Sequence, residues 1–372
     1  MQGRKIKLLV LILLFTTSAA FCQSEALKSV VNNLAFYKQK KDLKYLASAK
    51  KSVDSLITTR ADSSDLQKMV YRAIVNSSIL YLDSLNKLHQ PAAFFNQTVE
   101  LVDNLAANKK IYRYQPEIEY ARHCLANVYI RRGFAYMRSS DFGNALLQFM
   151  EARRCAPSFK ELNSYIAYSY NRLGNLHDAA KYYTNLTGND SAKTEYVEAA
   201  SYNYQAIGDT AAALEIIKKA RRALPADRSL LLDEANIYNN SKNYRALEPL
   251  LPELLDMNPG NADIAFVAAD CYDHLNQYDK AESLYLHAIE LNNSAYDPIF
   301  NLGLLYLKQA ESKKGKNSAE NMARSAQWLE KVNEISPNDV KCLRVLQLVY
   351  TKTGNQEQGD RVNNKLKELT NQ

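Results

Sequence analysis

Glycine and proline are scarce in this sequence, with 11 and 9 residues among 372. An all-β protein needs turn residues at every strand connection, and these two are the strongest turn formers. Tyrosine, by contrast, occurs 25 times, and apolar residues make up 47% of the chain. The composition therefore excludes a turn-rich β fold and favours a mostly helical protein with a buried core.

Cysteine and histidine, which supply many metal ligands and nucleophiles, are also few, at five each. The cysteines show no CxxC spacing, and no histidines form the HExxH pattern of a zinc site. The chain has no phosphate-binding glycine loop and no GxSxG nucleophile motif. The sequence therefore predicts a protein without a metal, a cofactor or enzymatic activity.

Four of the cysteines lie beyond the first 22 residues: Cys124, Cys155, Cys271 and Cys342. They are too sparse for a disulfide scaffold, so buried single thiols are the favoured interpretation. One alternative stays open. Cys124 lies in one expected helix and Cys155 at the end of its antiparallel partner, which is an arrangement that a disulfide could bridge in an oxidising compartment.

Long hydrophobic runs are missing except near the start, where an apolar stretch from Leu8 to Phe21 follows the basic segment MQGRKIK. A membrane-spanning helix needs about 20 apolar residues, so no transmembrane span is expected. A basic start, an apolar centre and small residues are typical of a secretory signal peptide, here residues 1–22, with cleavage after Ala20 or Cys22. A lipid anchor on Cys22 is the alternative, which bulky Phe21 disfavours. We expect an exported protein in the periplasm or at the cell surface.

Removal of residues 1–22 takes away three basic side chains and no acid, which lowers the formal net charge from +7 to +4. Nucleic-acid-binding proteins of this size carry larger basic patches to neutralise phosphates. The charge therefore argues against a nucleic-acid partner.

A tyrosine recurs every 34 residues along the last two thirds of the chain: Tyr136, Tyr170, Tyr204, Tyr238, Tyr272 and Tyr306. Three residues before each of them is a small residue: Gly133, Ala167, Ser201, Ala235, Ala269 and Gly303. Nine residues after the first five are apolar residues: Ala145, Ala179, Ala213, Leu247 and Ala281. Small residues let two helix axes approach closely, so each unit is predicted to be a pair of helices that must stack on its neighbours.

This pattern resembles the tetratricopeptide repeat (TPR). The resemblance implies an all-α fold, an α-solenoid in which stacked helical hairpins form a right-handed superhelix with a concave groove. We expect about seven repeats over residues 126–372, with an insertion near residues 309–323 and a polar C-terminal cap. Residues 23–125 are expected to form divergent helical hairpins that extend the solenoid, or else a separate small helical domain.

Residues 23–125 are expected to be helical but off the 34-residue register. We expect helices near residues 25–40, 42–59, 64–87, 92–108 and 116–139. In the fourth repeat, Pro249 and Pro252 lie within the expected second helix. Because proline lacks an N–H donor, they predict a late start or a kink in that helix.

In the TPR architecture the first helix of each pair lines the groove. Helix geometry then puts the side chains two before and one or two after each repeat tyrosine on the inner face; we call these positions the groove register. The arginines suit carboxylates and the asparagines suit a peptide backbone. The candidate partner-binding residues are Phe134, Arg138, Tyr168, Asn171, Arg172, Tyr202, Gln205, Asn236, Asn239, Asn240, Asp270, Asp273 and His274.

The leading functional hypothesis is a non-enzymatic protein–protein interaction scaffold of the bacterial cell envelope, with a partner protein or peptide bound in the groove. The segment AFCQ resembles the end of signal peptides from Bacteroidetes-type bacteria, which agrees with that address. The alternative is a carbohydrate-binding surface protein, in which Tyr168 and Tyr202 would stack on sugar rings. The oligomeric state is left open.

Overall fold

A computed structural model of the chain describes residues 25–188, 193–312 and 317–370. All regular secondary structure of these residues is helical, so the predicted all-α fold is confirmed. The chain divides into two compact units, with residues up to Ile207 in the first and residues from Gly208 onward in the second. Most helices that follow one another pack against each other within each unit, as TPR-like hairpins do.

In the first unit short 3₁₀ turns at Asp62–Ser64 and Ile111–Tyr114 join longer helices. The α-helices are α1 (Glu25–Lys40), α2 (Leu43–Ser55), α3 (Leu66–Leu82), α4 (Phe94–Ala106), α5 (Gln115–Arg138), α6 (Phe142–Cys155), α7 (Leu162–Arg172), α8 (Leu176–Thr184) and α9 (Thr194–Ala206). The five helices predicted over residues 25–139 are therefore present as α1–α5, with α2 and α3 ending a few residues earlier than expected. Helix α5 runs without a break across residues 125 and 126, and the division into a divergent and a regular repeat region stays a prediction.

The second unit continues with helical pairs. Its α-helices are α10 (Thr210–Ala223), α11 (Arg228–Asn240), α12 (Tyr244–Leu247), α13 (Leu251–Met257), α14 (Ala262–His274), α15 (Tyr278–Leu291), α16 (Tyr296–Glu311), α17 (Ser318–Ile335), α18 (Val340–Thr353) and α19 (Gln356–Thr370). A 3₁₀ turn at Glu248–Leu250 separates α12 from α13. The helix break predicted from Pro249 and Pro252 is thus confirmed, because each proline lies in the first turn of a new segment, where its missing N–H costs nothing.

The turn inside the hairpins is built in the same way at intervals of 34 residues. The fourth residue after each of the first five repeat tyrosines has a left-handed backbone, with φ between 54° and 83°: Ser140, Gly174, Gly208, Lys242 and Asn276. In the first four of these hairpins the side chain of the next residue caps the second helix; for example, Asp141 accepts the N–H of Asn144 at 3.1 Å, and Asn175 that of Asp178 at 3.2 Å. The tyrosine register therefore fixes where each first helix ends and each second helix begins.

The small residues of the repeat are the places where the two helices of a hairpin come closest. A Cβ atom on Gly133 of α5 would lie 2.6 Å from Phe149 of α6, and one on Gly303 of α16 would lie 2.9 Å from Leu329 of α17. Leu329 comes ten residues later in its repeat than Phe149 does. The packing position is thus kept between α16 and α17, which are longer than α7 and α8, and the insertion near residues 309–323 stays a prediction because residues 313–316 are outside the described residues.

The repeat pattern predicts the core well. All five residues nine positions after the repeat tyrosines have no exposed surface: Ala145, Ala179, Ala213, Leu247 and Ala281. The first unit centres on Phe149 and Ile166, and the second on Tyr285 and Phe300, each with 1% or less of its surface exposed. Full burial of a large apolar side chain contributes about 1.5–3 kcal/mol, so these large residues stabilise the core of each unit.

The four cysteines of the described residues are free and buried, which confirms the favoured interpretation of single thiols. Cys124 and Cys155 form no disulfide with each other. Burial raises the pKa of Cys124 to about 12 and that of Cys155 to about 11, which makes both thiols poor nucleophiles.

The proposed signal peptide, residues 1–22, lies outside the described residues. Within the parts of the chain that the structure describes, no helix combines the length and the apolar character that a membrane crossing requires.

Candidate partner-binding site

The groove-register residues of α5 line an open cleft of about 610 Å³ in the first unit. Tyr81, near the end of α3, forms one wall, and α5 contributes Ile130, Arg131, Phe134, Met137 and Arg138. Two predicted site residues, Phe134 and Arg138, therefore lie together in this cleft, four residues apart along α5. Arg138 is exposed, whereas Phe134 is half-buried.

Phe134 is anchored by other aromatic rings. Its ring meets Phe149 edge-on at 5.5 Å and Tyr165 edge-on at 4.8 Å between centroids. Edge-to-face pairs of this kind add about 0.5–1.5 kcal/mol beyond the burial of area. Phe134 therefore belongs to the core as much as to the surface, and it offers a partner a rigid apolar floor.

The next groove-register residues, on α7, surround a ring that the register did not include. The Arg172 guanidinium lies 4.8 Å from the ring centroid of Phe142, and Tyr168 meets the same ring edge-on at 6.0 Å. Phe142 is the first residue of α6. It holds the arginine and the tyrosine in place while both stay exposed.

Asn171, also on α7, is tied to the next first helix. Its side-chain amide donates to Oδ1 of Asn203 at 2.7 Å, and the amide of Asn203 donates to the carbonyl of Ala199 at 2.7 Å. Asn203 is buried, so this chain of hydrogen bonds fixes the position of Asn171. Helix α9 carries two candidates, Tyr202 and Gln205, and both are exposed to solvent. Tyr202 has 68% of its surface exposed, and the Gln205 amide donates to Ser201 Oγ at 3.3 Å.

In the second unit, the asparagines of α11 form a polar face. Asn236 and Asn240 are exposed and Asn239 is half-buried. The amide of an asparagine can donate and accept at once, which matches the alternating groups of an extended peptide backbone.

A groove-register residue of α14, like one of α7, lies against an aromatic ring at the start of a preceding helix. In α14 that residue is a histidine, whereas in α7 it is an arginine. The Tyr244 ring, at the start of α12, stacks on the His274 ring at 4.2 Å, as Phe142 holds Arg172. The Tyr244 hydroxyl donates to Oδ2 of Asp270 at 3.4 Å. Burial, followed by the charge of neighbouring groups such as Asp273, raises the pKa of the Asp270 carboxyl.

Among the polar candidate residues, Asp273 is the most deeply buried. Only 4% of its side chain is exposed, and its Oδ2 pairs with Nζ of Lys308 on α16 at 2.8 Å. Its Oδ1 is buried and has no hydrogen-bond partner. Asp273 therefore links neighbouring hairpins of the second unit and offers a partner little surface.

Sequence reasoning missed several residues that complete these sites. Phe142 and Tyr244 both stand six residues after a repeat tyrosine, so an aromatic residue at that position is a usable signal. Tyr81 and Arg131 carry no such signal, because α3 lies outside the 34-residue register. In the described residues no group of three or more histidine, cysteine or acidic side chains is placed to hold a metal ion.

The comparison with known proteins agrees with this architecture. A family model for the tetratricopeptide repeat matches residues 248–311. The solved structure of the C-terminal part of a TPR repeat-containing protein from Cytophaga hutchinsonii is 14% identical. That match covers 64% of this chain and 95% of that chain, with a TM-score of 0.51.

Two other similar structures overlap less of this chain. YrrB, described as a TPR protein with an unusual peptide-binding site, is 18% identical, with a TM-score of 0.43 and coverage of 53% of this chain and 96% of its own. MamA from Desulfovibrio magneticus is 16% identical, with a TM-score of 0.41 and coverage of 49% and 97%. At sequence identities this low, a match is informative about the fold alone. Of these three structures, the Cytophaga protein has the highest TM-score, and the comparison of folds uses that structure. Residues 248–311 therefore match the tetratricopeptide repeat, and the similarity to the Cytophaga structure shows that the fold is TPR-like.

Proposed function

We propose that this protein is a non-enzymatic scaffold that binds a partner protein or peptide through its groove-register residues. The observation that carries the proposal is the exposure of polar and aromatic side chains on successive first helices of the first unit. Arg172 and Tyr202 stand on α7 and α9, and both are exposed. Rigid helices hold them, so binding would cost little backbone entropy.

The chemistry of these side chains suits a polypeptide ligand. An arginine held over an aromatic ring keeps its N–H donors directed at a carboxylate, and tyrosines give broad contact with few rotatable bonds. In the second unit the asparagine face of α11 suits a peptide backbone. Such a protein acts by reversible binding of its partner, and no catalytic step is needed.

We place this scaffold in the bacterial cell envelope. The support is the sequence pattern of residues 1–22, a basic start, an apolar centre and small residues before Gln23. Fractionation of the native host tests this part by itself. A protein that keeps residues 1–22 and stays with the cytoplasmic fraction would contradict the envelope address.

The binding proposal is tested by purification of the tagged protein from envelope extract, followed by identification of the recovered proteins. Wild type is compared with the double variant Arg172→Glu/Tyr202→Ser, which changes two exposed side chains of the first unit. Arg222→Glu is the matched control, because Arg222 is an exposed arginine of α10 outside the groove register. We expect one set of proteins with wild type and Arg222→Glu, and its loss with the double variant.

Two results would contradict the proposal. Equal recovery by all three proteins would exclude Arg172 and Tyr202, the residues whose exposure carries the proposal, from binding. Recovery of no protein, together with specific binding on a glycan array, would instead support the carbohydrate alternative, in which Tyr168 and Tyr202 contact sugar rings.

A further inference from the structure

The cleft between α3 and α5 is apolar inside and bordered by cations, with no acidic side chain in its lining. Ile130, Phe134 and Met137 are half-buried and form its floor. Apolar surface of this kind is stabilised when another apolar group covers it. The cleft therefore has both a driving force for binding and a charge preference.

Arg131 is held in a fixed orientation in this cleft. Its two terminal nitrogens donate to the last carbonyls of α3, Nη2 to Leu80 at 3.0 Å and Nη1 to Tyr81 at 3.1 Å. These bonds use the carbonyls that every helix leaves unpaired at its C-terminus. No carboxylate pairs with Arg131 among the described residues, and burial, followed by the charge of Arg132, lowers its pKa. The guanidinium is thus preorganised and its charge is only partly balanced.

Arg138 supplies a second cation at the other end of the floor. It is exposed and takes part in no ion pair among the residues that the structure describes. Arg131 and Arg138 are separated by two helical turns, which is a rise of about 10 Å along α5. Phe134 and Met137 lie between them. A ligand that fits this face carries large apolar groups between two carboxylates at a similar distance.

The chain's own first residues do not match that description. Residues 1–22 contain three basic side chains and no aspartate or glutamate, so their charge is repelled by the two arginines. Charge complementarity points to an acidic partner.

We propose that this cleft binds an acidic peptide segment of a partner protein, in which large apolar side chains are flanked by aspartate or glutamate side chains. Each flanking carboxylate pairs with one of Arg131 and Arg138, and the apolar side chains cover Phe134 and Met137. This inference rests on the proposed scaffold function and names the chemistry of one of its ligands.

The test uses the full chain, immobilised and panned against a phage-displayed library of random dodecapeptides. We expect the recovered peptides to be enriched in acidic residues beside large apolar residues. One such peptide is then synthesised with acetyl and amide ends, so that only side-chain carboxylates are present. A matched peptide carries asparagine or glutamine in place of every acid.

Fluorescence anisotropy measures the affinity of both peptides for wild type, Arg138→Glu and Arg60→Glu. Arg60 is the control, because it is an exposed arginine of the first unit away from the cleft. We expect the acidic peptide to lose about tenfold or more in affinity with Arg138→Glu and to keep its affinity with Arg60→Glu. The neutral peptide should bind weakly to all three proteins, and added salt should weaken only the acidic one. Arg138→Gln, which keeps most of the side-chain size, replaces Arg138→Glu if circular dichroism shows a loss of folding.

Three results would overturn the inference: no recovered peptide, recovered peptides without acidic residues, or equal affinity for wild type and Arg138→Glu. A concentration-dependent dimer that Arg138→Glu abolishes would assign the cleft to a second copy of the chain and would also overturn it. In any of these cases recovery of partner proteins that depends on Arg172 and Tyr202 would leave the scaffold function standing. Failure of that recovery, with acidic peptides still bound at Arg138, would confine binding to the cleft and exclude Arg172 and Tyr202 from it.

Discussion

Gly133 on α5 lies against the ring of Phe149 on α6, so closely that a Cβ atom on the glycine would stand 2.6 Å from the ring. Phe149 has no exposed surface, and Phe134 and Tyr165 pack on its other sides. The ring therefore has little room to move away. The glycine of the repeat is required here by close packing of two helices.

Replacement of Gly133 by alanine is expected to destabilise the protein by about 1–3 kcal/mol, because the new methyl group overpacks the core at Phe149. Urea unfolding followed by circular dichroism measures the change. Gly143→Ala is the control, since its Cβ would meet nothing closer than Asp141 Oδ1 at 3.9 Å. That change should leave stability equal or slightly higher. Two results would contradict this explanation. One is an unchanged unfolding free energy in Gly133→Ala. The other is a double variant with Phe149→Leu that regains none of the stability lost in Gly133→Ala.

Lys242 occupies a left-handed backbone position, with φ of 54°, where other hairpins carry Gly174 and Gly208. A non-glycine residue in this region costs about 1–2 kcal/mol, partly offset by the greater freedom of glycine in the unfolded chain. Lys242→Gly should therefore raise the unfolding free energy by up to about 1 kcal/mol. Gly174→Ala should lower it by a similar amount.

The matched control for Lys242→Gly is Lys219→Gly, in the exposed interior of α10, which should lower stability by about 1 kcal/mol. Equal effects of the two lysine-to-glycine changes would show that the turn position imposes no strain. Thermal unfolding of the three variants separates these outcomes.

The pair between Asp273 and Lys308 should matter for stability more than the exposed ion pairs do. Lys308→Met leaves a carboxylate with 4% of its surface exposed without its cation, at a cost of about 2 kcal/mol. The comparison is Lys352→Met, whose partner Glu311 is 45% exposed and whose loss should cost under about 0.5 kcal/mol. Urea midpoints measure both. Asp273→Asn should restore part of the stability of Lys308→Met, and an additive double variant would contradict the coupling.

Asp270 should make the stability of the second unit depend on pH. Its pKa is raised above the ordinary value of 3.8, mainly by burial, with the charges of His274 and Lys308 opposing and that of Asp273 adding to the shift. The folded state therefore holds the proton more tightly than the unfolded state does. The stabilisation by that proton is complete below the unfolded pKa and is lost as the pH rises through the raised pKa.

Asp270→Asn mimics the protonated form, so the variant should gain stability over wild type at neutral pH. This gain should shrink as the pH falls toward 3.8 and below. Asp256→Asn, at an exposed aspartate of α13, is the control and should show no such trend. A gain that stays constant over the whole pH range would exclude titration of Asp270 as the cause.

The four buried cysteines should resist thiol reagents while the protein is folded. Cys271 and Cys342 have no exposed surface, and burial raises their pKa values to about 11 and about 12, so thiolate is scarce at neutral pH. In a chain that begins at Gln23, we expect no rapid reaction with Ellman's reagent, and reaction of all four thiols in guanidinium. A linked Cys124–Cys155 peptide after digestion without reductant would contradict the free state of these thiols.

The 34-residue spacing by itself determined much of the local architecture. It located the close packing at Gly133 and the buried positions such as Ala213, and in the structure the hairpin turns at Ser140 and Lys242 follow the same period. These features follow from short-range geometry, because a left-handed residue, a helix cap and a small residue act within one hairpin. A fixed period repeats that geometry along the chain.

The sequence could place the candidate site residues on first helices, but it could not say how exposed each one would be. Asp273 was expected at a surface and is buried against Lys308, whereas Tyr202, predicted in the same way, has 68% of its surface exposed. The difference comes from which side chain the neighbouring hairpin presents, and that depends on contacts between residues about 35 positions apart.

Tertiary structure alone decided the cleft of the first unit. Arg131 closes the end of α3 by hydrogen bonds to carbonyls 50 and 51 residues earlier in the chain. No periodic pattern links those positions, because α3 lies outside the register of α5. The sequence thus specified the hairpin, a product of local geometry, while packing between helices of different register created the surface on which a partner can act.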